Sequence, residues 1–134
     1  MRDLVSFLSI CLLISFSALS APAKPFVVPT NESGVQHVDI KVDSYRFTPD
    51  HIIVRKGIPV EIRLRSVTSI IPHNFTFKVP VSGIDISRDI PSGKDRTVKF
   101  TPENTGRFEF YCNKKNFLAN HRKKGMEGII EIIK

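Results

Sequence analysis

The sequence predicts an all-β fold, a β-sandwich or barrel of about seven to eight strands. The first indication is an alternation of apolar and polar residues, clearest at Val38, Ile40 and Val42, which is typical of strands with one buried face. The second is the recurrence of turn-forming residues at intervals of about 8 to 12 positions. The third is that no stretch has the apolar spacing of an amphipathic helix.

The candidate strands follow one another along the chain, separated by Gly, Pro, Asn and Asp. The alternation and the apolar runs mark residues 38–42, 52–55, 60–64, 75–77, 84–86, 98–100, 108–110 and 130–132. Residues 113–124, between the last two candidate strands, have room for one helical turn. We therefore expect a single domain over residues 35–134.

The first 20 residues have the order of a secretory signal peptide: a short polar start, an apolar run and a group of small residues. The apolar run, Leu4 to Phe16, is shorter than the roughly 20 residues that span a bilayer. Cleavage after Ser20 or after Ala23 is expected; an uncleaved anchor is the alternative. The protein is then periplasmic or otherwise exported, without membrane insertion after cleavage. Residues 21–34, which contain three prolines, are expected to be a flexible segment.

The composition excludes a collagen-like, coiled-coil or wholly disordered chain, because 41% of the 134 residues are hydrophobic and 25% are charged. Twenty Lys and Arg against thirteen Asp and Glu give a net charge of +7, which favours acidic partners. Nucleic acid is not expected, because the exported domain has no base-stacking motif.

Loss of the signal peptide removes Cys11 and leaves Cys112 as a lone thiol. Such a thiol is a liability in an oxidising compartment unless something caps it.

Three other side chains could complete a metal site around this thiol. Cys112 has the same parity as Phe108 and Phe110, so it should point inward at the end of its strand. Two histidines, His73 and His121, and one methionine, Met126, lie on segments that flank predicted strands; each of these residues alone is also consistent with simple packing. Two imidazoles and a thiolate with a weak axial thioether form the site of electron-transfer copper.

The segments Pro72-His73-Asn74 and His121-x4-Met126-x-Gly128 resemble the cupredoxins, the plastocyanin and pseudoazurin type of small blue copper protein. The resemblance covers residues 35–134 and implies a Greek-key β-sandwich that binds one copper ion in a monomer. It implies that His73, Cys112 and His121 are equatorial ligands, that Met126 is the axial ligand, and that Asn74 braces the ligand loops.

The chain departs from this family pattern between Cys112 and His121. Eight residues intervene here, whereas plastocyanin-like proteins have two. The longer interval is similar to that of the two-copper domain in subunit II of cytochrome c oxidase. That site needs a second Cys four residues after the first, where this chain has Asn116, so a mononuclear site is expected.

Five basic residues surround the predicted ligands: Lys114, Lys115, Arg122, Lys123 and Lys124. They are either a solvated basic face or a docking surface for an acidic redox partner, since charge steers transient encounters. The other two histidines, His37 and His51, are interpreted as surface residues.

Three functions fit these observations. The first is a one-electron carrier that cycles between Cu(I) and Cu(II). The second is a periplasmic copper-binding protein for delivery to a copper acceptor, storage or resistance, and the third is an auxiliary binding domain without turnover chemistry. An enzyme is not expected, because four protein ligands leave the metal no open position for a substrate.

Overall fold

The computed structural model of the chain describes residues 23–117 and 119–134. The predicted signal peptide, residues 1–20, lies outside the described residues. In the described part, the chain forms ten strands: β1 (Phe26–Val27), β2 (Gln36–Asp43), β3 (Arg46–Thr48), β4 (His51–Arg55), β5 (Val60–Ser66), β6 (His73–Val79), β7 (Ile84–Ile90), β8 (Arg96–Phe100), β9 (Gly106–Tyr111) and β10 (Glu127–Ile133). Two short 3-10 helices span Pro80–Ser82 and Arg122–Lys124.

The strands form two sheets, as a β-sandwich requires. One sheet has six strands in the order β1-β4-β10-β9-β6-β7, and the other has four in the order β3-β2-β5-β8. Strands β2 and β5, β4 and β10, and β1 and β4 run parallel, and the other paired strands run antiparallel. The all-β prediction is confirmed. None of the helices in residues 23–117 and 119–134 has the length and hydropathy needed to cross a membrane.

The core lies between the two sheets and contains the apolar residues that alternate along the strands. In β5, Val60, Ile62 and Leu64 are buried while Arg63 and Arg65 are exposed. Phenylalanines fill the centre: the Phe75 ring stacks on the Phe110 ring at 5.1 Å between centroids. Complete burial of such a side chain stabilises the fold by about 1.5–3 kcal/mol.

The segment that the sequence predicted to be flexible contributes a strand to the domain. Phe26 and Val27 form β1, which pairs with β4. Val28 is 5% exposed, and its backbone N–H donates to the Ile53 carbonyl at 2.9 Å. From Phe26 onward the segment is therefore attached to the six-stranded sheet.

Gly128 lets the last strand approach the core near the candidate metal site. A Cβ atom at this position would lie 2.3 Å from the Asp50 carbonyl oxygen and 2.4 Å from Cζ of Phe110. Because one of these atoms belongs to the backbone, a side-chain rearrangement cannot remove the clash. Gly128 pairs with Phe110 across β10 and β9, two residues before Cys112.

We expect Gly128→Ala to lower the free energy of unfolding by about 3 kcal/mol, because the added methyl group overpacks a filled space. Chemical denaturation of the apo protein measures the effect. Gly83→Ala is the control: its Cβ would meet nothing within 4 Å, and only its φ of 66° opposes the substitution. That control should lose about 1–2 kcal/mol. Equal losses in the two variants would contradict the close approach at Gly128.

Candidate metal centre

Two neighbouring strands bring His73 and Cys112 together. His73 is the first residue of β6, and Cys112 directly follows β9. These strands pair through Thr76 with Tyr111 and Phe77 with Phe110. The start of β6 therefore lies beside the end of β9, and both side chains are completely buried.

His121 and Met126 lie between β9 and β10, on either side of the second 3-10 helix. His121 is 2% exposed and Met126 is completely buried. The Cys112 backbone N–H donates to the Met126 carbonyl at 3.0 Å, and the Met126 N–H donates to the His121 carbonyl at 3.1 Å. These two bonds hold the Met126 backbone next to both of the other residues.

The donor atoms of three residues converge on one point. His73 Nδ1 lies 3.3 Å from His121 Nδ1, which in turn lies 3.5 Å from Cys112 Sγ. All three donor atoms lie within 4.8 Å of one another. The structure thus brings together His73, Cys112 and His121 in one buried cluster, with Met126 adjoining them along the backbone.

Asn74 links the two segments that carry His73 and Cys112. Its side-chain amide donates to Asn113 Oδ1 at 2.6 Å and accepts from the Asn113 backbone N–H at 2.8 Å. Its own backbone N–H points at Cys112 Sγ, at 3.4 Å. The family resemblance implied a bracing role for Asn74; Asn113 was not singled out, and its position directly after Cys112 is the one signal that could have found it.

The long interval between Cys112 and His121 does not separate these residues, because Lys115 and Asn120 lie side by side. Lys115 and Asn120 form an isolated antiparallel bridge. The His121 N–H then donates to the Lys114 carbonyl at 3.1 Å. Six of the eight intervening residues are therefore an excursion, and Cys112 and His121 are joined through Asn113 and Lys114 as in a short ligand loop.

The family model described as a cupredoxin-like domain matches residues 7–124. The chain belongs to the cupredoxin-like family. Among curated proteins, no sequence matches this cupredoxin significantly.

Solved structures support the same fold. The metal-binding domain of the Cu(I)-exporting P-type ATPase CopA from Streptococcus pneumoniae, solved with Cu(I), has a TM-score of 0.64 and 25% identity, covering 85% of this chain and all (100%) of that one. Reduced auracyanin from Roseiflexus castenholzii has a TM-score of 0.62 and 14% identity, covering 73% and 97%. A mutant plastocyanin of fern has a TM-score of 0.50 and 22% identity, covering 72% and 100%. The matching chains also include a multicopper oxidase.

The buried cluster of this cupredoxin fits a copper ion. Burial lowers the pKa of His73 to about 4, with the nearby His121 as the second cause, and burial also lowers the pKa of His121. Burial raises the pKa of the Cys112 thiol. At neutral pH the apo cluster is therefore uncharged, and two imidazole Nδ1 atoms face each other at 3.3 Å.

A second observation supports this fit. His73 Nε2 is buried and has no hydrogen-bond partner among the described residues. A neutral His73 that carries its proton on Nε2 would direct the lone pair of Nδ1 into the cluster. Two imidazoles, a thiol that can lose its proton and a thioether are the donor set that suits copper. The His, Cys, His, Met cluster could bind one copper ion.

The structure divides the five basic residues near the cluster into two groups. Three have partners: Lys114 pairs with Asp89, Arg122 pairs with Glu109 and Glu127, and the Lys124 ammonium lies 4.5 Å from the centre of the Tyr45 ring. Lys115 and Lys123 form no ion pair within residues 23–117 and 119–134. The solvated basic face near the ligands is thus smaller than the sequence indicated.

The remaining histidines do not belong to the cluster. His37 has a side chain 41% exposed that contacts Asp39, as a surface residue would. The His51 side chain is only 18% exposed and bonds Glu131 at 3.0 Å. It lines a surface cavity with Asp50 and Glu127, so His51 is partly buried but still lies at the surface.

We expect a variant that lacks residues 115–120 and joins Lys114 to His121 to bind one copper ion with an affinity within about tenfold of the wild type. The reason is that the excursion closes on itself and leaves the ligand segments already in contact. Titration of the apo protein with Cu(I), using a competing chelator, measures the affinity. His121→Ala in the shortened chain is the control and should lose most of this affinity. Failure of the shortened chain to bind copper would contradict this account of the loop.

Proposed function

We propose that the protein is an exported mononuclear copper protein that carries single electrons between Cu(I) and Cu(II). The observation that carries this proposal is the preformed cluster, in which three buried donor atoms lie within 4.8 Å of one another. Donors that are already in place need little rearrangement when the charge at the site changes. Little rearrangement favours fast electron transfer.

The proposed ligands have different roles. His73, Cys112 and His121 would hold the metal, and Met126 would supply a weaker thioether sulphur. Bound copper supplies reversible one-electron chemistry, which no protein side chain here supplies. The chain's own residues hold and isolate the site: the Asn74–Asn113 hydrogen bonds fix the two ligand segments, and burial excludes water.

The same arrangement supports a carrier or binding role over an enzyme. Four protein donors leave no open position at which a substrate could bind the metal. The donor residues are also buried, so an organic substrate has no direct access to the cluster.

Copper delivery is the second candidate function. The observation that favours it is the 25% identity to the metal-binding domain of a Cu(I)-exporting ATPase, solved with Cu(I). The two functions differ in one measurable respect. A carrier shows reversible one-electron redox chemistry at a fixed potential, whereas a delivery protein hands copper rapidly to an apo acceptor.

The proposed setting is the periplasm or another exported location, where the protein acts as a monomer. The proposed partner is an acidic redox protein or a copper acceptor, and nucleic acid is not a proposed partner. The position of Lys115 supports an acidic partner, because Lys115 and His121 line the same small surface cavity of about 110 Å³. A partner that approached this cavity would lie close to the edge of a proposed ligand.

We expect Cys112→Ser to abolish the intense visible absorption of the Cu(II) protein, because the thiolate provides the dominant charge donation. Met126→Leu should keep one copper per chain and raise the reduction potential, because loss of an axial donor destabilises Cu(II) more than Cu(I). Visible and paramagnetic resonance spectra, metal analysis and voltammetry measure these effects.

The matched controls for these variants are His37→Gln and His51→Gln, which remove imidazoles outside the cluster. Both should leave the copper spectrum unchanged. Loss of the spectrum in either control, or an unchanged spectrum in Cys112→Ser, would overturn the ligand assignment. Two tightly bound coppers per chain would overturn the mononuclear proposal.

We expect replacement of Lys115 and Lys123 by Gln to slow electron transfer from an acidic partner protein and to weaken the dependence of its rate on salt. The physical reason is screening: the Debye length falls from about 10 Å at 0.1 M salt to about 3 Å at 1 M. Stopped-flow measurements at several ionic strengths test this.

The charge-matched control replaces Lys56 and Lys134 by Gln. The Lys56 N–H donates to the Ile133 carbonyl, at the end of β10 far from Met126. This control has the same net charge as the test variant and should transfer electrons at nearly the wild-type rate. Equal slowing in both variants would mean that net charge alone, and not the surface near His121, steers the partner.

A further inference from the structure

Tyr45 has an unusual backbone conformation next to the metal cluster. It lies with Ser44 in the two-residue turn between β2 and β3, which is closed by the pair Asp43 and Arg46. Its φ is +58°, and it is the one non-glycine residue with positive φ within residues 23–117 and 119–134. Glycine or asparagine normally occupies such a position, and a bulky side chain there costs free energy. We therefore looked for contacts of the Tyr45 ring that offset this cost in free energy.

The ring contacts both candidate histidine ligands. Its centroid lies 4.9 Å from the His121 ring at an interplanar angle of 82°, and 6.4 Å from the His73 ring at 88°. Both are edge-to-face arrangements within the range of favourable aromatic pairs. The Lys124 ammonium lies over the same ring, 4.5 Å from its centroid. Because Lys124 ends the 3-10 helix that begins directly after His121, the ring links β2 and β3 to the ligand loop.

His121 is otherwise the ligand that is nearest to solvent. It lines the small surface cavity of about 110 Å³, and it is 2% exposed whereas the other three proposed ligands are at 0%. Tyr45 is half-buried and packs against the core, and its ring meets the His121 imidazole edge to face. Removal of the ring would therefore open a second face of the His121 imidazole.

We propose that Tyr45 is a positioning residue that caps the cluster: its ring fixes the His121 imidazole with Nδ1 towards Cys112 and His73, and it limits access of solvent to these donors. The inference rests on the proposed ligand role of His121 only for its copper measurement. In the apo protein it concerns the contact between two rings and the shielding of Cys112, which are independent of electron transfer.

Glycine at position 45 separates this role from a structural one. Tyr45→Gly removes the ring and also relieves the strain of positive φ, so the turn itself does not suffer. Tyr45→Phe keeps the ring. Phe117→Ala removes an aromatic ring of the ligand loop that is 95% exposed, and it serves as the control.

Two rates test the proposal in the full mature chain. The first is the reaction of the Cys112 thiol in the apo protein with a chromogenic disulfide reagent. The second is the transfer of Cu(I) from the loaded protein to a chelator in excess. We expect both rates to rise about tenfold in Tyr45→Gly, a factor that corresponds to about 1.4 kcal/mol. Tyr45→Phe and Phe117→Ala should stay within about twofold of the wild type.

The stability of each variant to denaturant decides between the two roles. If Tyr45→Gly speeds both rates while its unfolding midpoint is unchanged or higher, the ring positions and shields the cluster. If the two rates are unchanged, the proposal is overturned. It is also overturned if the rise in the rates is no larger than the loss of stability of the variant explains, and Tyr45 then has a packing role alone. If the thiol of the apo protein reacts faster but the rate of Cu(I) transfer is unchanged, Tyr45 still shields the cluster, and the ligand role of His121 is contradicted.

Discussion

The antiparallel contact between β6 and β9 determines where the metal cluster can form. The two strands pair at only two positions, Thr76 with Tyr111 and Phe77 with Phe110. If this register is continued, Asn74 lies opposite Asn113. At that position the two segments are joined by hydrogen bonds of the Asn74 side chain and not by backbone pairing. The strands can thus separate enough to admit a thiol and an imidazole while remaining tied together. Breaking this contact would disperse the donors even if every strand remained intact.

Burial gives the cluster its chemical character. Strand β6 is buried from His73 to Phe77, and His73 lies on the same face of the strand as Phe75 and Phe77. In such surroundings a charged imidazole is disfavoured, and the pKa of His73 falls to about 4. The neutral bases are then free to donate lone pairs at physiological pH, but the thiol, whose pKa is raised, must release its proton when a metal binds.

The sequence predicted the parts of this structure that follow from local periodicity. Alternation located most of the strands, and the shared parity of Phe108, Phe110 and Cys112 indicated that the thiol points inward. It did not predict β1, because Phe26 and Val27 are both exposed and their pairing depends on a strand 26 residues later. Short edge strands of this kind leave no alternation to detect.

Other features escaped prediction for a different reason: they depend on contacts between distant segments. Residues 115–120 contain no glycine or proline, and the turn-forming residues Asn116 and Asn120 alone did not predict that the excursion closes on itself. Tyr45 occupies a conformation that favours glycine, and its reason lies in rings 28 and 76 residues away. The basic residues looked equivalent in sequence, yet their acidic and aromatic partners come from other strands.

The closed base of the excursion has a consequence for how this chain can change. The Lys115–Asn120 bridge and the His121-to-Lys114 hydrogen bond fix the distance between the ends of the excursion. The closure entropy of a loop grows only slowly with its length. Insertions and deletions beyond this bridge would therefore leave the donor atoms where they are. The excursion is a place where evolution or engineering can graft a new recognition segment beside the cluster without redesigning it.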